Sequence, residues 1–77
     1  VAAFVVQLEV SIEGMWTPVV RYDNVHGFCH IDIYRRNGES RKEELAMSFA
    51  DVLTLADEDI LLHWEEYRNR FLKGEWP

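Results

Sequence analysis

The chain of 77 residues contains few residues that cross-link or interrupt a fold: one cysteine, two prolines and four glycines. A single cysteine, Cys29, excludes an internal disulfide, which indicates a reducing cytosol and a cytoplasmic protein. The longest apolar run, residues 1–6, is far shorter than the roughly 20 residues that span a bilayer. It also lacks the basic flank of a signal peptide. We therefore expect a protein that is not associated with a membrane.

Basic residues are also scarce: the chain has eight Lys and Arg but fourteen Asp and Glu, which gives a net charge of −6. The imbalance is uneven along the chain. Residues 43–77 carry nine acidic and three basic side chains, whereas residues 14–42 carry three acidic and five basic ones. An acidic chain argues against broad, non-specific binding of nucleic acids, but the middle segment leaves room for a local basic site.

Several catalytic and metal-binding motifs are absent from the sequence. It has no CxxC or HExxH motif, no glycine-rich phosphate loop and no serine in a nucleophile-elbow context. His26 and His30, with Asp23 or Asp32, are suitable ligand types for a divalent metal. However, the spacing of the two histidines crosses from a loop into a strand and does not fix both imidazoles on one face. We therefore expect no metal and no other cofactor.

Alternation of apolar and polar residues predicts four strands. They are residues 4–12, about 16–23, 28–35 and about 40–47. Pro18 predicts a bulge or a late start of regular pairing in the second strand, because proline lacks an N–H donor. The Asn37-Gly38 pair predicts a hairpin, and a three-residue loop or a bulge there would place Leu45 and Met47 on the core side.

The last third of the chain predicts a helix. Ser48 and Asp51 resemble a capping box, and apolar residues then recur at helical spacing as far as Phe71. The pattern leaves open one helix or two with a break near Ala56. Phe4, Val6, Leu8, Ile31, Ile33, Leu53, Ile60 and Trp64 are expected to share one core, with Trp16, Tyr67 and Phe71 as further core aromatics. The prediction is a single α+β domain over residues 1–77, a four-stranded antiparallel meander packed on one face by a long C-terminal α-helix.

The face of the sheet away from the helix is expected to carry polar side chains. A tight Asn24–Gly27 loop would pair Arg21 with His30 across strands two and three, and Gln7 with Arg21 across strands one and two. Asp23, Asp32 and Tyr34 would lie within diagonal reach, and His30 would be exposed. Such cross-strand pairs can recognise an anion, but they can equally serve only to stabilise the sheet.

One segment of this face resembles a known family. Residues 21–27, RYDNVHG, followed by His30, resemble the R-[YW]-D-N-x-H segment of small TumE-type toxins of toxin–antitoxin modules, which are regarded as distant relatives of RelE-like ribonucleases. The resemblance covers about residues 19–38. It implies a toxin-like protein that binds RNA or cleaves it without a metal, with an antitoxin as partner. It singles out Arg21, Asp23, Asn24, His26 and His30.

In this hypothesis Arg21 holds a phosphate, His26 and His30 act as general base and acid for attack by a 2′-OH, and Asp23 orients an imidazole. The expected binding residues are Asn24, Tyr34, Arg35, Arg36, Arg41 and Lys42. The basic members, around the Asn37-Gly38 hairpin, would contact backbone phosphates. The alternative is a non-enzymatic module that works as a homodimer or by docking another protein. The acidic helix and the small core favour that alternative.

Overall fold

A computed structural model of the chain describes residues 3–25 and 27–77. Its elements are β1 (Val5–Ile12), β2 (Met15–Asp23), β3 (Cys29–Tyr34), β4 (Ser40–Leu45) and α1 (Phe49–Leu72). The strands form one antiparallel sheet in the order β1-β2-β3-β4, and α1 packs on one face, mainly against β1 and β2. The predicted α+β meander with one C-terminal helix is confirmed. Within the described ranges, no helix has the length and hydropathy needed to cross a lipid bilayer.

The hairpin connections set the register of the outer strands. Glu13 and Gly14 form the β1–β2 turn with φ angles of 53° and 80°, as a two-residue hairpin requires. Between β3 and β4, the Arg35 N–H donates to the Glu39 carbonyl at 2.8 Å, which closes a three-residue loop, one of the two predicted alternatives. Leu45 consequently pairs with Cys29 on the helix side of the sheet. Met47 lies beyond β4 and is exposed, so its expected place in the core was wrong.

A bulge in β2 explains the largest error in the predicted core. Leu8 pairs with Val20 but Glu9 pairs with Pro18, so Val19 is an extra residue, and both valines are buried. An extra residue reverses the alternation of side chains on the preceding part of the strand. Trp16 is therefore 72% exposed and does not belong to the core.

α1 is one continuous helix, without a break near Ala56. The Ser48 side chain accepts a hydrogen bond from the Asp51 N–H at 3.2 Å, as the predicted cap requires. The fully packed core consists of Val10, Val19, Val20, Tyr22, Cys29, Val52, Ala56 and Phe71. Phe4, Val6, Leu8, Ile31, Ile60 and Tyr67 pack against it while partly buried. Trp64, predicted to lie in the core, is 46% exposed instead.

Candidate functional site

The register of β2 against β3 differs from the predicted one by two residues. Asp23 pairs with His30 and Arg21 pairs with Asp32, so the expected pairing of Arg21 with His30 was wrong. The connection is longer than four residues, because a turn closed by the Gly27 N–H on the Asn24 carbonyl is followed by unpaired chain before β3.

The shift by two residues keeps every side chain on its predicted face. The Tyr22 hydroxyl bonds to Asp59 of α1, so its neighbours Arg21 and Asp23 lie on the opposite face of the sheet. Gln7 pairs with Arg21 as predicted. The polar face that the sequence predicts is therefore present, with different neighbours.

The centre of this face is an imidazole between two carboxylates, which we call the Asp–His–Asp cluster (Asp23, His30 and Asp32). His30 Nε2 lies 3.0 Å from Asp23 Oδ1 and 3.4 Å from Asp32 Oδ2. The side chains of His30, Asp23 and Asp32 are 2%, 4% and 13% exposed. His30 was expected to be exposed, and that expectation was wrong. An imidazole so deeply buried presents almost no surface to a bound molecule, so its role as a general acid stays a prediction.

Two cationic side chains flank the cluster. Arg21 Nε donates to Asp23 Oδ2 at 2.9 Å, and Lys42 Nζ lies 3.9 Å from Asp32 Oδ1. Burial acts to raise the pKa of Asp23, but the Val25 N–H, the Arg21 guanidinium and the charge of His30 together lower this pKa below its ordinary 3.8. Asp23 is therefore a carboxylate at neutral pH and holds Arg21 in place.

The depressed pKa of Asp23 predicts acid sensitivity. Between the folded and unfolded pKa values the unfolded chain binds more protons, so this contribution to stability is present above about pH 4 and is lost as the pH falls through the folded-state value. We expect Asp23→Asn to be less stable than the parent at pH 7 but to lose less stability on acidification. Urea unfolding from pH 7 to pH 2 measures the difference. The exposed-carboxylate control Glu9→Gln should follow the parent curve; an Asp23→Asn curve parallel to the parent would contradict the prediction.

The loop before β3 is held by side chains rather than left open. Asn24 is buried, and its Oδ1 accepts a hydrogen bond from the Phe4 N–H at 2.7 Å, which ties the loop to the start of β1. Asn24 therefore has a structural task, and its binding role stays a prediction. His26, the expected general base, lies outside the described residues.

The basic residues around the β3–β4 loop contact the end of the chain. Arg35 Nη2 donates to the Gly74 carbonyl at 2.8 Å, and Arg36 Nη1 to the Leu72 carbonyl at 2.9 Å. The Arg41 guanidinium lies 4.1 Å from the centre of the Trp76 ring. Cations at carbonyls near a helix C-terminus and over an aromatic ring are stabilising. These arginines therefore anchor the end of α1, and a phosphate would compete with those contacts.

Tyr34 is half-buried on the polar face, where burial first and Asp32 second raise the pKa of its hydroxyl. Cys29 is buried in the core as predicted, and burial raises the pKa of its thiol. A thiol with a raised pKa is a poor nucleophile at neutral pH.

A second polar network, centred on Asp59, was not predicted from the sequence. Its carboxylate accepts hydrogen bonds from the Tyr22 and Tyr67 hydroxyls, both at 2.6 Å, and lies 2.9 Å from His63 Nδ1. Burial, followed by these bonds, raises the pKa of both tyrosines, which stay neutral donors. In the sequence, Asp59 looks like one more acidic residue of an acidic helix. The available signal was its spacing, since His63 and Tyr67 follow it at i+4 and i+8.

The Asp–His–Asp cluster is also the group of described residues that best fits a metal. One donor atom from each residue lies within 4.8 Å of the other two. Carboxylate oxygens and an imidazole suit zinc or manganese. Arg21 and Lys42 already face the two carboxylates, however, so a divalent ion would add positive charge beside two cations. The geometry permits a metal and the charges oppose it.

These observations define a small α+β domain with a polar sheet face built on a buried Asp–His–Asp cluster. The chain belongs to the DUF7718 family, a domain of unknown function, whose family model matches residues 1–76. No curated protein and no solved structure matches the chain. The resemblance to TumE-type toxins stays a prediction.

Proposed function

We propose that this protein is a small toxin-like RNA-binding protein that recognises a backbone phosphate with Arg21. The proposal is supported by the contacts that hold the Arg21 side chain in place. Arg21 is partly exposed, its Nε is held by Asp23, and Asp23 is held in turn by buried His30. Among residues 3–25 and 27–77, Arg21 makes no further hydrogen bond, so its two terminal nitrogens can meet a ligand.

This arrangement is suited to an anion. A guanidinium presents planar donors that match a phosphate, and fixing its orientation before binding reduces the entropy lost on binding. Lys42 is exposed on β4, on the other side of Asp32 from Arg21, and adds positive charge to the same face. The enzymatic form of the proposal is metal-independent cleavage, with His26 and His30 transferring protons. Burial of His30 favours binding over cleavage.

Replacing Arg21 by alanine should weaken binding of a single-stranded RNA oligonucleotide by at least tenfold at low salt. A charge-assisted hydrogen bond contributes about 1.5–3 kcal/mol, and about 1.4 kcal/mol corresponds to a tenfold change in Kd. The slope of log affinity against log salt should also become shallower by about 1. Fluorescence anisotropy over a salt series measures both quantities.

A matched control for this test is Arg70→Ala. Arg70, like Arg21, forms one ion pair with a carboxylate, in this case Glu66 of α1. Its replacement by alanine should leave RNA binding unchanged. Thermal melts of both variants separate lost binding from lost folding. If the parent protein does not bind RNA at low salt, or if both variants bind as the parent does, the proposal fails. For the enzymatic form, a His26→Ala, His30→Ala double variant that still cleaves RNA would exclude these residues as the catalysts.

A second candidate function is protein interaction, either between copies or with another protein. Many large apolar side chains are exposed on a domain with a very small core: Val5, Met15, Trp16, Val25, Phe28, Met47, Leu55, Leu61, Leu62 and Trp64. Exposed apolar side chains mark an interaction surface where they form a contiguous patch, and Leu61 and Leu62 are adjacent on α1 and each 75% exposed. Sedimentation of the isolated protein, alone and after Leu62→Ala, tests association between copies.

A further inference from the structure

Three arginines lie in and beside the β3–β4 loop, and we call them the arginine cluster: Arg35, Arg36 and Arg41. Arg41 pairs with Ile33, which pairs in turn with the core residue Val20. Directly opposite residues share a face of a sheet, whereas neighbours along a strand point to opposite faces. Arg41 is therefore on the helix side of the sheet, and Arg21, next to Val20 in β2, is on the other side.

Residues 74–76, which we call the covering segment, lie on this cluster. Gly74, with a φ angle of 80°, follows the end of α1 and turns the chain, as in a common helix C-cap. The centre of the Trp76 ring then lies 4.1 Å from the guanidinium carbon of Arg41 and 5.3 Å from that of Arg35. Arg35 also donates from Nε and Nη2 to the Gly74 carbonyl, at 3.3 and 2.8 Å. An aromatic ring and a main-chain oxygen of the same chain thus occupy the cluster.

Both contacts are of the kind by which arginine binds single-stranded RNA. A guanidinium plane stacks on an unpaired base, and its N–H groups donate to phosphate oxygens. Arg36 likewise donates to the Leu72 carbonyl, at 2.9 Å. A phosphate is the stronger acceptor, because its oxygens carry negative charge and the Gly74 carbonyl does not. The local charge also suits an anion: residues 35–41 and 73–76 carry four basic and two acidic side chains, in a chain of net charge −6.

The covering segment is held by contacts that a ligand can replace. Arg41 is exposed and Trp76 is partly exposed, and a cation–π contact contributes least at such sites. Lifting residues 74–76 leaves the core closed, because the fully buried Phe71 precedes them in the chain. Since the covering segment belongs to the same molecule, it competes at a high effective concentration. Such competition lowers the apparent affinity for a ligand from outside.

We propose that the covering segment is an autoinhibitory contact, which occupies the arginine cluster in place of a nucleotide of single-stranded RNA. The base stacks on Arg41, the phosphates are held by Arg35 and Arg36, and binding displaces Trp76. This proposal rests on the proposed RNA-binding function. It adds a second contact surface, on the other side of the sheet from Arg21, and the segment that regulates it.

Trp76→Ala should bind a single-stranded octaadenylate at least threefold more tightly than the parent at low salt, because the competing ring is removed. The gain should persist when Arg21→Ala is present in both proteins, since the two surfaces are separate. It should disappear in the Trp76→Ala, Arg41→Ala double variant. An abasic oligonucleotide of the same length should gain clearly less, because it has no base to stack on Arg41. Fluorescence anisotropy measures all four comparisons.

Trp16→Ala is the matched control, since Trp16 is an exposed tryptophan of β2 that belongs to neither surface. It should bind RNA as the parent does. A second readout needs no variant, and therefore tests the proposal even if Trp76→Ala does not fold. In NMR spectra of the parent, saturating RNA should shift the indole N–H signal of Trp76 and leave that of Trp16 in place.

Three results would overturn the proposal: binding by Trp76→Ala no tighter than by Trp16→Ala, an equal gain for the abasic oligonucleotide, or an unmoved Trp76 signal at saturating RNA. If RNA binding by the parent still depends on Arg21, the proposed function stands and only this inference fails. A gain in Trp76→Ala, with no effect of Arg21→Ala on the parent, supports this inference and contradicts the role of Arg21. Absence of RNA binding by both the parent and Trp76→Ala would overturn both proposals.

Discussion

His30→Ala should lower the free energy of unfolding by about 3 kcal/mol at pH 7. Removing the imidazole leaves Asp23 and Asp32, 4% and 13% exposed, facing each other without the group that lies between them. Breaking a buried ionic or hydrogen-bonded pair by removing one partner typically costs about 3–5 kcal/mol, and the partial exposure of Asp32 places the expectation at the lower end. Urea unfolding monitored by circular dichroism measures the change.

A double-mutant cycle separates this contact from general damage to the sheet. If His30 acts through Asp23, then His30→Ala with Asp23→Asn should cost clearly less than the sum of the two single changes. Gln7→Ala, on the same face and outside the cluster, should change stability by no more than about 0.5 kcal/mol. A loss below 1 kcal/mol for His30→Ala would contradict the buried cluster. The result also bears on function, because a cleavage assay on His30→Ala is interpretable only where the protein remains folded.

Phe71→Ala should be the most damaging single substitution among the core residues. Phe71 is fully buried in the last turn of α1, and truncating such a side chain typically costs about 3–5 kcal/mol. A chain of this length has a total stability of roughly 4–11 kcal/mol, so the substitution should remove a large fraction of it. Thermal and urea unfolding measure the effect.

Leu61→Ala provides the comparison for Phe71→Ala. Leu61 lies on the same helix but is exposed, and its truncation should change stability by no more than about 0.5 kcal/mol. Phe71→Leu, which retains much of the apolar volume, should recover a large part of the loss. Similar stabilities for Phe71→Ala and Leu61→Ala would show that the end of α1 does not pack on the sheet.

The order and type of the elements follow from the sequence because they depend on local patterns. Strict alternation predicts β1, the Asn37-Gly38 pair predicts a hairpin, and the Ser48 cap with helical spacing predicts α1. The composition of the polar face also follows from the sequence. A change of register by two residues leaves the face of Arg21 and His30 unchanged.

Tertiary structure alone decided which polar groups meet and which aromatic residues are buried. The connection from β2 to β3 sets the neighbours of His30, and its Asn24 side chain is bonded to the Phe4 N–H, 20 residues away in the chain. One extra residue at Val19 turns Trp16 away from the core. The only feature of the sequence that indicates this bulge is Pro18, and it is a weak one. In the sequence, Asp59 has the pattern of an exposed acidic residue on a helix. Only the packing of α1 on the sheet brings it to Tyr22, which is 37 residues earlier in the chain. Contacts between residues distant in the chain depend on how elements pack, and packing is not encoded in the periodicity of any one element.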